Sequence, residues 1–251
     1  YGSGRLDMIV VSNSLPTVQL AAPPLIVSLV HNLPADVSDY FVLHWLNRSF
    51  VERQLVVRGS ELLFSLDGIT QGRVYKLVAY GVDNGLVDGV WWHDNYVYDP
   101  GQATISFTSG GNQGGSGETK TFTGSVRIES VGVARQVVAV ALDADPVYLL
   151  ASTTSDLSGS YTLEWQGYSG QMLVTALDDY GVDFETGKTL GEGDRVHPPA
   201  PNGYVYVSGN LGTLGPEPLW PTQEGASVTS GNVQLVAVPF WRPKSAGPFS
   251  V

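Results

Sequence analysis

With 251 residues, 43% of them hydrophobic and only 15% charged, the chain has room for one large β domain or two to three small ones. A net charge of −11 against only 13 Lys and Arg, which are scattered along the sequence, excludes the basic stripe that nucleic-acid binders use to neutralise phosphates. The lack of any cysteine excludes disulfide staples, thiolate chemistry and Cys-based zinc sites.

The chain carries 30 Gly and 15 Pro, and short runs of Val, Ile, Tyr, Leu and Thr recur between them. Apolar positions at helical spacing with caps at both ends are missing, so the expected fold class is all-β. The longest apolar runs, such as Leu25-Ile26-Val27-Ser28-Leu29-Val30, are far too short to span a bilayer, and no membrane insertion is expected. No basic segment followed by a long apolar core opens the sequence, so no signal peptide is expected.

Residues 1–16 carry one strand pattern, Met8-Ile9-Val10-Val11, and read as an N-terminal arm or edge strand. Residues 17–107 read as a first β-sandwich with strands over 25–30, 40–48, 53–58, 61–65, 73–82, 89–98 and 103–107. Tyr40-Phe41-Val42-Leu43-His44-Trp45 alternates around a Trp suited to plugging a sandwich core. Further on, Leu66, Gly72, Tyr75, Ala79 and the Asn84-Gly85 turn follow one another as at the corner between two strands. This stretch resembles an immunoglobulin-like or fibronectin type III domain, in which the Tyr hydroxyl locks that corner.

Thr108 to Lys120, with Gly110-Gly111-Asn112-Gln113-Gly114-Gly115-Ser116-Gly117 at its centre, has the composition of a flexible coil and reads as a linker over 108–120. Residues 121–185 read as a second, smaller sandwich. In it Gly124 and Val126 open a strand, Asp156, Gly159, Tyr161 and Leu163 make a hairpin, and Val174 and Ala176 close the last strand. Gly159 is expected to supply the positive φ of the turn, with Tyr161 and Leu163 facing the core at period two. The pattern resembles the transthyretin-like, carboxypeptidase-regulatory type of domain, which in that family is scaffolding or adhesive.

Residues 186–251 read as a small C-terminal β module and tail. Its grammar is Gly193-Asp194-Arg195-Val196, then Tyr204-Val205-Tyr206, then Pro218-Leu219-Trp220-Pro221, then Ser230-Gly231-Asn232-Val233. It resembles a module that recurs in tail and appendage proteins of bacterial viruses, and more distantly the short sugar-binding modules of chitinases. Leu235 stands where the viral module carries a Trp, which fits a structural clasp. The tail 239–251 shows three prolines and no strand pattern, as expected of a segment that wraps a neighbouring subunit.

Chemistry-bearing residues are sparse. His31, His44, His93 and His197 sit in four separate segments, and none pairs at a ligand spacing. His44, beside Trp45, reads as a satisfied, partly buried histidine. Asp178, Asp179 and Asp183 cluster after the last strand of the second sandwich. They read as acidic turn residues or as oxygen ligands for calcium. Adjacent strand residues face opposite ways, so Asp178 and Asp179 are not expected to share a site. The aromatic rings are the better lead. Period two puts Trp92, Tyr96 and Tyr98 on one strand face and Trp91 and Val97 on the other, so that one face is core and the other is an interface or a second covered face. In the C-terminal module Tyr204, Tyr206, Trp220 and Trp241 are candidates for interface or glycan contact, with core packing the alternative for Trp220.

Together the resemblances imply a non-enzymatic virion protein of a tailed bacteriophage, extracellular once assembled. It would contact copies of itself and other virion proteins, and host-cell glycans as a second role. A bacterial surface adhesin, or an accessory region of a polysaccharide-degrading enzyme, is the competing expectation.

Overall fold

The computed structural model describes residues 26–34, 38, 40–47, 50–58, 61–65, 71–83, 85–99, 104–111 and 116–251. The expected arm over 1–16, the coil at 112–115, and Leu66 and Asn84 of the corner motif lie outside the described residues. All regular structure among the described residues is β, as the turn-rich, short-period sequence predicts.

The first unit comprises β1 (Ile26–His31), β2 (Tyr40–Asn47), β3 (Phe50–Val57), β4 (Glu61–Ser65), β5 (Val74–Asp83), β6 (Leu86–Val97), β7 (Thr104–Ile105) and β8 (Thr108–Ser109). They form a three-stranded sheet in the order β4-β1-β7 and a five-stranded sheet in the order β3-β2-β5-β6-β8. Phe41, Leu43, Trp45, Leu77 and Ala79 fill the space between them.

The second unit comprises β9 (Thr119–Ser125), β10 (Arg127–Ile128), β11 (Val131–Gly132), β12 (Gln136–Ala141), β13 (Tyr148–Thr154), β14 (Ser160–Gln166) and β15 (Gln171–Leu177). The third comprises β16 (Val182–Asp183), β17 (Thr189–Leu190), β18 (Arg195–His197), β19 (Tyr204–Ser208), β20 (Gly212–Thr213), β21 (Ser227–Ser230) and β22 (Val233–Pro239), after which β23 (Lys244–Ser250) returns to the second unit. The second unit's main sheet runs β13-β12-β15-β23 and packs on the pair β14-β9, with β10 and β11 as a small hairpin. Gly159 takes φ +84°, and Tyr161 and Leu163 join this core. The third unit's sheet runs β16-β18-β19-β22-β21, around Val196, Tyr206, Val233 and Leu235.

The two sandwiches are stacked face to face. On β2 every residue from Tyr40 to Leu46 is buried, because both faces of its sheet are covered. Phe41, Leu43 and Trp45 point into the first sandwich. Tyr40, Val42 and Leu46 point the other way, onto Val138, Val140, Leu142, Leu173 and Leu177 of the second. On β12 the alternate residues Val137, Ala139 and Ala141 serve the second sandwich's own core. The result is four β layers with three apolar seams, and Val205, Val238 and Phe240 of the third unit close the central seam.

The described ends of the expected linker differ from a free coil. Thr108 and Ser109 pair with Trp92 and Trp91, Gly110 donates to the Val90 carbonyl (2.6 Å), and Gly111 donates to the Val147 carbonyl (3.0 Å). A Cβ on Gly110 would lie 2.4 Å from the Val147 oxygen, so only glycine lets the chain thread between the two sandwiches. The tail also departs from expectation: β23 pairs with β15, with Met172 opposite Phe249 and Ala176 opposite Lys244. Pro248, the one proline within that strand, is tolerated because β23 is an edge strand, where an absent N–H breaks no ladder on the outer side. The strand partner sought on a neighbour is thus supplied by the same chain.

A small polar network is buried in the central seam. The His44 Nε2 lies 2.6 Å from Ser245 Oγ and 3.3 Å from the Tyr80 hydroxyl, which also donates to Thr175 Oγ1. Burial holds the His44 pKa down to about 3, against hydrogen bonds that work to raise it. An unfolded chain takes up this proton near pH 6.5, whereas the folded one refuses it until about 3, so acid favours unfolding. The stabilisation is complete above pH 6.5 and is lost as pH falls through that window. The slope from this one proton is at most about 1.4 kcal/mol per pH unit. His44→Gln should flatten the fall in melting temperature between pH 6.5 and 4; a variant profile parallel to the native one would remove His44 as the source.

Candidate functional site

The three units meet around one carboxylate. Asp178 follows β15, is 3% exposed, and accepts from Arg195 Nη1 (3.2 Å), Arg135 Nη2 (3.4 Å) and the Trp241 amide (3.1 Å). Arg135 leads into β12, Arg195 opens β18, and Trp241 begins the return of the tail. The first unit joins through Tyr40, whose hydroxyl donates to the Asp178 carbonyl (2.8 Å). Arg195 also lies 3.7 Å from the Asp179 carboxylate. The two acids therefore do converge, contrary to the alternation expected of a strand, because β15 ends at Leu177 and the pleat ends with it.

Alongside, Arg58 of the first unit reaches Asp183 Oδ1 (2.5 Å) and His197 Nε2 (2.5 Å) of the third. His197 stacks on Tyr180 at 4.1 Å, and its Nδ1 faces the Tyr180 carbonyl at 3.2 Å. The same Nε2 lies 2.7 Å from Asp183 Oδ1, so it stands between a guanidinium that donates and a carboxylate that accepts. Burial first, then the Arg58 charge, push the His197 pKa below 6.5. Burial works to raise Asp183, but hydrogen bonds from His197 and Arg58 outweigh it and hold the carboxyl below its usual value.

Calcium does not suit these acids. Asp178 is held between two guanidinium groups and Asp183 faces a third, so their lone pairs are already turned to fixed cations. Among the described residues, no three His, Asp or Glu converge as a metal site would need.

The aromatic candidates separate. Tyr96 and Tyr98 are buried inside the first sandwich beside Trp91, whereas Trp92 packs in the central seam. The expected common face for Trp92, Tyr96 and Tyr98 fails at a β-bulge: Leu77 pairs with His93 but Tyr75 pairs with Tyr96, and Asn95 takes φ +56°. The extra residue shifts every later side chain to the opposite face. Trp92 is half-buried under Lys76, whose ammonium lies 5.5 Å from the ring centroid. In the third unit Tyr206 is buried, with its hydroxyl donating to the Pro221 carbonyl, and Trp220 packs at 4.5 Å from it and 5.3 Å from Phe184. Tyr204 packs against the same core. These three rings build the module. Trp241 is 41% exposed and lies beside a cavity.

That cavity, of about 290 Å³, opens between β10 and the start of β23. Arg127, Arg135, Arg242 and Lys244 border it, four of the chain's 13 Lys and Arg. Residues scattered in sequence are thus gathered in space. The only local signal was the run Trp241-Arg242-Pro243-Lys244, which lay in a tail expected to wrap a neighbouring subunit. No protein-family model, curated protein or solved structure compared with the chain matches it.

Proposed function

We propose that this chain is a structural protein of a tailed-bacteriophage virion, a tail-tip, fibre or decoration component that works by contact with copies of itself and with other virion proteins. The observation that carries the reading is an apolar pair at the end of the five-stranded sheet, both of whose faces are covered from within. Val74 and Val97 sit directly opposite each other across β5 and β6, 50% and 42% exposed, and Phe50 lies at the same end of that sheet, also exposed. An exposed apolar pair at a sheet end suits a protein contact better than scattered exposed residues do, and Phe50 adds an apolar side chain at that end on the opposite face. The four-layer stack supports the reading too, since a rigid block transmits the geometry of one contact to the next.

The test is oligomeric mass across a concentration series. The native chain should self-associate, and Val74→Lys with Val97→Lys should weaken that association at least tenfold without lowering the melting temperature. A native chain that stays monomeric at every concentration would reject the reading. Trp241, exposed beside clustered cations, favours glycan contact as a second role, as it also does for the competing adhesin or enzyme-accessory reading.

A further inference from the structure

The recess beside Trp241 has the chemistry of a small-ligand site. Its cationic side is composed of Arg127, Arg135, Arg242 and Lys244, against two carboxylates, Asp178 and Glu129. Asp178 is shared between Arg135 on this side and Arg195 behind, so Arg135 is already paired and the charge left over is that of Arg127, Arg242 and Lys244. Arg242 and Lys244 are exposed and have no carboxylate partner among the described residues. In a chain of net charge −11, unspent cations gathered at one cavity attract an anion.

The rest of the wall decides which anion. Val126, Ile128, Ala176 and Leu177 give it an aliphatic floor, and the Trp241 indole borders it. Free phosphate presents no apolar face to such a floor. A pyranose ring does, because its C–H groups lie flat against an indole while its substituents reach outward. A carboxylate on that ring meets the planar, two-pronged geometry of a guanidinium. The cavity is at the small end for organic ligands, which suits one ring of a longer chain.

We propose that this recess binds a carboxylated sugar, a single uronic-acid-like residue of an acidic glycan. The proposal rests on the glycan-contact role above and names its ligand class. Trp241 is held for the task by its own amide, which donates to Asp178, while Gln54 donates to the Pro243 carbonyl and so fixes the segment between Arg242 and Lys244.

The test is titration calorimetry on the whole chain with methyl glucuronide and methyl galacturonide, their neutral glucoside and galactoside counterparts, and inorganic phosphate. At least one uronide should bind saturably, at least tenfold tighter than its neutral counterpart. Arg242→Ala with Lys244→Ala should weaken that binding at least tenfold with melting temperature unchanged. Trp241→Ala should weaken uronide binding and leave any phosphate binding as it was. Equal affinity for neutral and acidic sugars, no saturable uronide binding, or phosphate binding as tight as uronide binding would each overturn the proposal. None of these outcomes bears on self-association through Val74 and Val97, so the two readings fail separately.

Discussion

Replacing Asp178 by Ala should destabilise the fold by about 3–5 kcal/mol, the usual cost of stripping one partner from a buried ion pair. For a chain of this size that is a drop of about 6–20 °C in melting temperature. The cost comes less from the lost attraction than from what stays behind. Arg135 and Arg195 would remain, only 20% and 24% exposed, facing a gap in place of a carboxylate. The Trp241 amide would lose its acceptor as well. Asp178→Asn should cost less, since an amide oxygen still accepts although the charge is gone. Because both arginines meet one carboxylate, Arg135→Ala and Arg195→Ala should combine non-additively with Asp178→Ala in a double-mutant cycle. Thermal unfolding measures each term, and a loss below about 1 kcal/mol for Asp178→Ala would show that water reaches the junction freely.

What could be read from the sequence was what local chemistry decides. Strand periodicity is local, so the all-β class and most strand cores were visible, down to Gly159 at its turn with Tyr161 and Leu163 behind it. The double coverage of β2 had a signal too: the run Tyr40 to Trp45 is apolar at nearly every position, the mark of a strand buried on both sides. Reading it as simple alternation around Trp45 hid the stacked sandwiches. The faces of Tyr96 and Tyr98 were lost for a different reason. One bulge residue inverts the parity of everything after it, and its only advance sign was Asn95, a residue type that tolerates positive φ. Of the cationic recess, only the run Trp241-Arg242-Pro243-Lys244 was legible. Arg127 and Arg242 are brought together by β23 pairing with β15, and that pairing is a tertiary event that no window of sequence contains.

The sharing of one seam by both sandwiches has a thermodynamic consequence. Heating should unfold them in a single transition, and cutting the chain within 112–115 should leave neither half folded alone. An isolated first sandwich would expose Val42, Leu46, Val78, Val82 and Val90 beside Tyr40 and Tyr80, and an isolated second would expose Val138, Val140, Leu142, Val147, Leu173 and Leu177. Each fully buried Val or Leu side chain is worth about 1.5–3 kcal/mol on burial. Exposing five or more such groups costs as much as the whole stability of a typical domain, about 5–15 kcal/mol. Leu173→Ala, at the centre of the seam, should therefore lower the single melting temperature by an amount matching about 2–5 kcal/mol, rather than selectively melting the second sandwich. Calorimetry decides it. Two resolved transitions, only one of which moves in Leu173→Ala, would mean that the seam is a contact between independent domains and not a core they hold in common.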